Sequence, residues 1–230
     1  YFPPEDLRGI PSFMRVLHSI KDAYDNRRED VERNDEYLSN AVSQIVNIDQ
    51  SSLEEDQAIL LRAFQAIKKS FDSNYGGFGS APKFPQPLAL RFLLAYYSRT
   101  KDPESLSMVN RSLEALANGG IYDHLGGGFH RYATDEKWKI PHFEKMLYDQ
   151  AMILEALVEA YQVQSKDLFR ETADEVHLYI QEVLLSKDGG LFSAEDADSE
   201  EGEGAFYQWS SNELKNKGKD KELVVRVSTS

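Results

Sequence analysis

Between Gly119 and Tyr132 the chain reads GGIYDHLGGGFHRY, which places five glycines, two histidines and an aspartate in fourteen residues. A connector between helices usually needs only a few residues, so this excess calls for a chemical explanation. His124 and His130 lie six apart across three glycines, with Asp123 and Arg131 beside them, and His142 follows in the same loop system. Imidazole titrates near neutrality and can both remove and return a proton, as chemistry beside a carbonyl requires. Such chemistry would epimerise a sugar through its open aldehyde form, with Arg131 holding an enolate-like oxygen. The competing reading is a sharp glycine turn whose histidines bond to loop carbonyls.

Three further groups supply candidates. PHFEKMLYDQ places His142 just before a helix, where helical spacing would pair Glu144 with Tyr148 and Lys145 with Asp149. Tyr148 is a substrate-contact candidate, whereas Lys145 and Asp149 are expected on a solvated face. The stretch SAEDADSEEGEG carries Glu195, Asp196 and Asp198. With Asp123 these could serve as the paired carboxylates of a glycosidase, and Glu200, Glu201 and Glu203 as a solvated acidic loop. A calcium loop does not fit, because Glu201 stands where an EF-hand needs glycine. Lys83 and Phe84, held among prolines in SAPKFPQP, offer one cation and one ring for sugar contact. Tyr132 and Trp138 could stack or simply pack. Three histidines on one loop are a low-specificity metal pattern, and no metal or cofactor is called.

The elements that must position these groups are helical. Apolar residues recur at helical spacing around Phe13–Tyr24 and Leu38–Ile45, then at Leu60, Phe64, Ile67 and Phe71. Capping boxes are read at Ser51–Glu54 or Ser52–Glu55 and at Ser210–Glu213. Pro87 opens a helix with Ala89, Phe92, Leu93, Tyr96 and Tyr97 inward, and Asp102-Pro103 starts another with Leu106, Val109, Leu113 and Leu116. After the long loop, Leu147, Leu154, Leu157, Val158 and Tyr161 line one face of a further helix, and Phe169, Ala173, Val176, Ile180 and Leu184 mark the next. YGGFG (75–79), LGGGFHRY (125–132) and DGGLF (188–192) repeat a glycine turn after a helix at a spacing of about 50–60 residues. Stacked αα-hairpins with elaborated loops on one edge would follow, and a toroid builds a pocket that way.

Composition narrows the function classes. Net charge is −13, with 39 acidic and 26 basic residues, so nucleic acid and anionic membranes are unsuitable partners. The chain has no cysteine, which removes disulfides, thiolate metal sites and a cysteine nucleophile. No apolar run approaches the roughly 20 residues of a membrane span, and without a secretory signal a cytoplasmic location is expected.

YGGFGSAPKFPQP, GGIYDHLGGGFHRY, PHFEKMLYDQA and FSAEDADSE…GAFYQW together resemble the YyaL and spermatogenesis-associated protein 20 family. That resemblance implies a thioredoxin-like domain joined to a six-hairpin (α/α)6 toroid related to N-acylglucosamine 2-epimerases and six-hairpin glycosidases. Residues 1–47 would then be the last remnant of the thioredoxin-like domain plus a connecting helix, and 48–230 the first half of the toroid. The expected fold is all-α, a partial (α/α)6 toroid of about three αα-hairpins with short β-hairpins in the loops. It is read as a fragment, with a small sugar as its partner and self-association through the open toroid edge. The implied function is epimerase- or isomerase-like, with the glycosidase and a non-catalytic binding module as alternatives.

Overall fold

A computed structural model describes residues 2–7, 9–46, 56–199 and 202–207. The capping boxes near 51–55 and at Ser210, and the tail beyond them, lie outside the described residues. The chain forms two compact units, 1–55 and 56–230.

The first unit contains α1 (Phe13–Asn26) and α2 (Arg28–Val46). Ser12 caps α1 by accepting a hydrogen bond from the Arg15 N–H, so Pro11 stands just before the cap rather than in the first turn. The apolar spacing forms helix as read, but Phe13, Leu17, Ile20, Tyr24, Leu38 and Val42 remain exposed. A single bridge, Leu7 to Ile10, is the only strand pairing among the described residues of this unit.

The second unit holds α3 (Asp56–Ser70), α4 (Pro87–Thr100), α5 (Pro103–Asn118), α6 (Leu147–Gln164) and α7 (Asp167–Tyr179), which runs on through a π-helical turn to Leu184. α4 packs on α3, α5 and α6, and α7 packs on α5 and α6. Two-residue connections join α4 to α5 and α6 to α7, as hairpins require. Phe64 stacks on Tyr96 at 4.5 Å, and Leu90, Leu93, Val109, Leu113, Ile153, Leu157 and Phe169 fill the core between the layers. The buried face of α6 differs from the one read in the sequence. Gln150, Ile153, Ala156, Leu157 and Ala160 are buried, while Val158 is exposed. This helix is apolar nearly all round, so its periodicity marks no single face.

Three long connectors, 71–86, 119–146 and 185–207, leave the helices at one end and bond to each other. Lys83 and Ala133 exchange two backbone hydrogen bonds. β3 (Lys145–Met146) pairs with β4 (Ala194–Glu195), and the Leu147 N–H donates to the Ser193 carbonyl. The short strands β1 (Tyr132–Ala133) and β2 (Pro141–His142) pair within the middle connector, and β5 (Asp198–Ser199) with β6 (Gly202–Glu203) in the last.

The glycine turns are built alike. Bridges close them at Phe71–Phe78, Tyr122–Phe129 and Leu185–Leu191. In the first two, an aspartate six residues before the phenylalanine organises the turn. Oδ1 of Asp72 accepts from the Asn74 and Tyr75 N–H groups, and Oδ1 of Asp123 from those of Leu125 and Gly126. The other carboxylate oxygen takes a buried lysine from later in the chain: Lys83 at 2.6 Å and Lys145 at 2.8 Å. In the third turn Ser186 replaces the aspartate and accepts from the Gly190 N–H. The first turn packs on α5, where a Cβ at Gly76 would meet the Arg111 carbonyl at 2.7 Å. The second packs on α7, where a Cβ at Gly128 would meet the Tyr179 ring at 2.7 Å. The third meets no neighbouring chain at Gly189, and Leu185, Leu191 and Phe192 stand about half exposed beside it.

Candidate functional site

The middle connector is fixed to α6 by one side chain. Gln150 is wholly buried; its Oε1 accepts from the Phe129 N–H and its Nε2 donates to the Phe129 carbonyl, both at 2.7 Å. The His130 N–H then donates to the Ile121 carbonyl and the Arg131 N–H to the Glu144 carbonyl. Backbone on both sides is therefore set before any side chain of this segment meets a ligand. Gln150 belongs to the PHFEKMLYDQA motif that carries the family resemblance, but its sequence position alone does not show that it clamps the backbone of Phe129.

His130 is 2% exposed, its ring edge-on to Phe143 and Tyr207 at 5.3 and 4.9 Å. Burial, aided by the Lys145 charge, pushes its pKa down to about 4, so the ring is neutral near pH 7. His142 stacks on Tyr132 at 4.9 Å, and Tyr132 lies 4.9 Å from Phe84. Phe84, Tyr132 and His142 thus form a partly exposed aromatic shelf. Nδ1 of His142 lies 2.6 Å from Glu203, and its Nε2 lies 3.8 Å from Glu144, which in turn pairs with Arg131 at 2.8 Å. The Arg131 N–H to Glu144 carbonyl bond and the Tyr132–His142 strand pair hold the segments that carry His130 and His142 side by side.

Other candidates have structural employment. His124 contacts the Gly119 carbonyl at 3.0 Å through Nε2 and lies edge-on to Tyr122, as a turn-forming histidine would. Asp123 is held by its turn and by Lys145. Burial alone would raise its pKa, but the Lys145 ammonium and the Gly126 and Leu125 N–H groups outweigh it, leaving the carboxyl below its usual value. Lys83 is fully buried between Asp72, the Glu136 carbonyl and the Trp138 ring, so its ammonium faces the interior rather than a ligand. Trp138 is likewise interior, donating from Nε1 to the Tyr75 carbonyl. Glu195 accepts from the Tyr179 hydroxyl at 2.8 Å. Asp196 accepts from the Asp198 N–H, and both are exposed in the last connector. Asp198 pairs backbone to backbone with Glu203, the partner of His142.

Two expectations are corrected outright. Residues 142–146 are extended rather than the start of a helix, because His142 pairs with Tyr132 and Lys145 with Glu195. Helical i, i+4 pairing across Glu144–Tyr148 and Lys145–Asp149 therefore does not apply. Nor are Lys145 and Asp149 solvated: they are 1% and 6% exposed. Lys145 is the counterpart of Lys83, donating to Asp123 and the Gly127 carbonyl over the Tyr179 and Tyr207 rings. Burial pushes Asp149 up to about 7, against the opposing pull of Arg131 and the Tyr148 hydroxyl. Tyr148 itself is 46% exposed.

Three buried side-chain atoms have no hydrogen-bond partner among the described residues: His130 Nδ1, Arg131 Nε and Asp149 Oδ2. Buried polar atoms are ordinarily satisfied, and two of these three belong to the adjacent residues His130 and Arg131. Among the described residues no three histidines or carboxylates converge to hold a metal ion, and no helix is long and apolar enough to cross a membrane.

No protein-family profile matches the chain. Curated relatives do: human spermatogenesis-associated protein 20 is 38% identical over 227 residues, covering 93% of this chain and 29% of that protein. The mouse protein is 39% identical with the same coverage, and the uncharacterised Caenorhabditis elegans protein B0495.5 is 34% identical over 97% of this chain and 32% of its own. The chain thus spans less than a third of these relatives' length. Among solved structures, the cellobiose 2-epimerase of Bacillus thermoamylovorans superposes with TM-score 0.52 at 17% identity, over 75% of this chain and 53% of the enzyme. A sugar epimerase from a ruminal bacterium gives 0.53 at 17% identity, over 72% of this chain and 50% of its own. A GH76 α-mannanase of Bacteroides thetaiotaomicron gives 0.51, again at 17%, over 75% and 53%. These likenesses establish the fold: mostly helical, of the (α/α)6 toroid type. Over nearly all its length, the chain is homologous to a segment of spermatogenesis-associated protein 20.

Proposed function

We propose that the connector end of this toroid segment binds a small sugar and contributes acid–base groups to its epimerisation or isomerisation. What supports the reading is the aromatic shelf Phe84–Tyr132–His142, whose Tyr132 directly follows His130 and Arg131, each with a buried polar atom that lacks a hydrogen-bond partner among the described residues. A partly exposed apolar face with converging hydrogen-bonding groups is what a pyranose, apolar on one face and hydroxylated at its rim, would match. His130, neutral near pH 7, offers a free ring nitrogen as the base that removes the proton beside the carbonyl. His142, bridging Glu203 and Glu144, returns it, and Arg131 holds the oxygen on which charge develops. The carboxylates first considered for a glycosidase are turn-forming, paired or exposed, so the reading rests on the two histidines. Sugar-epimerase likeness in the solved structures supports the same class by analogy of fold alone.

The test is incubation of glucose, mannose and cellobiose with the full chain in D2O, with solvent deuterium at C2 followed by proton NMR. Incorporation that is lost in His130→Asn and His142→Asn is expected. Binding without incorporation would reduce the site to a sugar-binding one. Absence of both would overturn the proposal.

A further inference from the structure

Glu203, read in the sequence as part of a solvated acidic loop, lies 2.6 Å from Nδ1 of His142. Exposed charges often meet to little effect, but this pair is built from both sides. Glu203 is held on β6 by its backbone pairing with Asp198, and the next residue, Gly204, donates its N–H to the Ala197 carbonyl. Gly204 is buried against the Phe143 ring, where a Cβ would stand 2.3 Å from the nearest ring carbon, and Tyr207 stacks on the same ring at 5.5 Å. Two consecutive residues, Glu203-Gly204, thus meet two consecutive residues, His142-Phe143. The imidazole is fixed as well: it stacks on Tyr132 at 4.9 Å, and the two backbones pair. Its Nε2 makes no hydrogen bond among the described residues, since Glu144 stands 3.8 Å away and already takes Arg131 at 2.8 Å.

Building on the acid–base reading of this site, we infer that Glu203 is the positioning residue of His142: by accepting the Nδ1 proton it fixes the ring's tautomer and leaves Nε2 as the atom that exchanges protons with a substrate. A carboxylate accepts and cannot donate, so the proton between the two groups belongs to Nδ1. The hydrogen bond made by one ring nitrogen sets the state of the other. Nε2 therefore carries the lone pair of the neutral ring and the second N–H of the cation. In the proton return proposed above, the Nε2–H bond breaks as the sugar C–H bond forms, and the electron pair stays on Nε2 until solvent reprotonates it. Glu203 acts through the imidazole rather than on the sugar.

The test is nitrogen NMR of the full chain with isotope-labelled histidine, in which long-range ring couplings tell a protonated ring nitrogen from an unprotonated one. The His142 signals are those missing in His142→Asn. With pH raised until that ring is neutral, the proton is expected on Nδ1, and Glu203→Ala is expected to lose this preference. The melt of Glu203→Ala should match that of Asp188→Ala, an exposed control, because a half-exposed pair adds little stability. In the deuterium assay, Glu203→Ala should lower the rate at saturating sugar about tenfold or more with half-saturation unchanged, as the loss of a hydrogen bond to a charged partner predicts. A proton on Nε2 in the wild type, or a ring spectrum or exchange rate unaltered in Glu203→Ala, overturns the assignment and leaves the two histidines as acid and base without it. No deuterium incorporation by the wild type overturns the sugar reading instead, and the ring spectrum alone then decides the role of Glu203.

Discussion

Replacing Lys145 by methionine tests the account of the second glycine turn. The ammonium is buried, 2.8 Å from Asp123 and 2.9 Å from the Gly127 carbonyl, over two tyrosine rings. Methionine keeps most of the packing volume but strands Asp123, whose side chain is 12% exposed, as a buried carboxylate without its counter-ion. Removing one member of a buried pair costs about 3–5 kcal/mol. For a unit of this size each kcal/mol lowers the melting temperature by about 2–4 °C, so a loss of roughly 10 °C is expected. Circular dichroism melts at neutral pH would measure it, with exposed Lys139→Met as control. Because the Asp123 pKa is held below its unfolded value, the pair's contribution is full above about pH 4 and fades as pH falls through the folded value. The gap between wild type and Lys145→Met should therefore narrow in acid, and Asp123→Asn combined with Lys145→Met should recover part of the loss. A shift no larger than that of Lys139→Met would refute the idea that the pair organises the turn.

Three further outcomes are expected. Gln150→Leu leaves the Phe129 N–H and carbonyl without partners, at about 1–3 kcal/mol each, and should both lower the melting temperature and expose the 119–146 connector to protease. Gly128→Ala combines a φ of +80° with a Cβ 2.7 Å from the Tyr179 ring and should cost several kcal/mol, whereas Gly189→Ala, at +84° in open space, should cost about 1 kcal/mol; equal effects in urea titrations would refute the packing of the second turn on α7. Asp149→Asn should gain stability over wild type as pH rises. A carboxyl whose folded pKa is raised to about 7 contributes most below its unfolded value and loses that contribution up to about pH 7; over pH 5–7 this amounts to roughly 2–3 kcal/mol, and a pH-independent difference in melting would contradict the burial of Asp149.

Local pattern was enough for α3, α4 and α5, whose apolar residues recur on one face and whose starts carry Pro87 and Asp102-Pro103. It failed where pairing is long-range. His142 and Lys145 are extended because strands elsewhere hold them, and no window around PHFEKMLYDQ contains Tyr132 or Glu195. The glycine repeat was legible, but the aspartate and lysine that make each turn rigid were not connected, since Lys83 and Lys145 lie 11 and 22 residues beyond their partners. Lys145 and Asp149 were misplaced for the same reason: a charge is read as solvated unless its counter-ion or its burial is visible nearby in the chain. Of the three loop histidines, His130 and His142 fall in one cluster, while His124, equally prominent in sequence, is occupied by Gly119 and Tyr122.

The first two glycine turns each rest on a helix that follows in the chain: the first on α5, the second on α7. Influence between neighbouring hairpins therefore runs backward along the polypeptide. The connector carrying His130 and Arg131 gains the support of Tyr179 only once α7 has been made. Tyr179 thereby becomes a lever on the second turn, and an emerging chain would set each of these turns one hairpin behind its own synthesis.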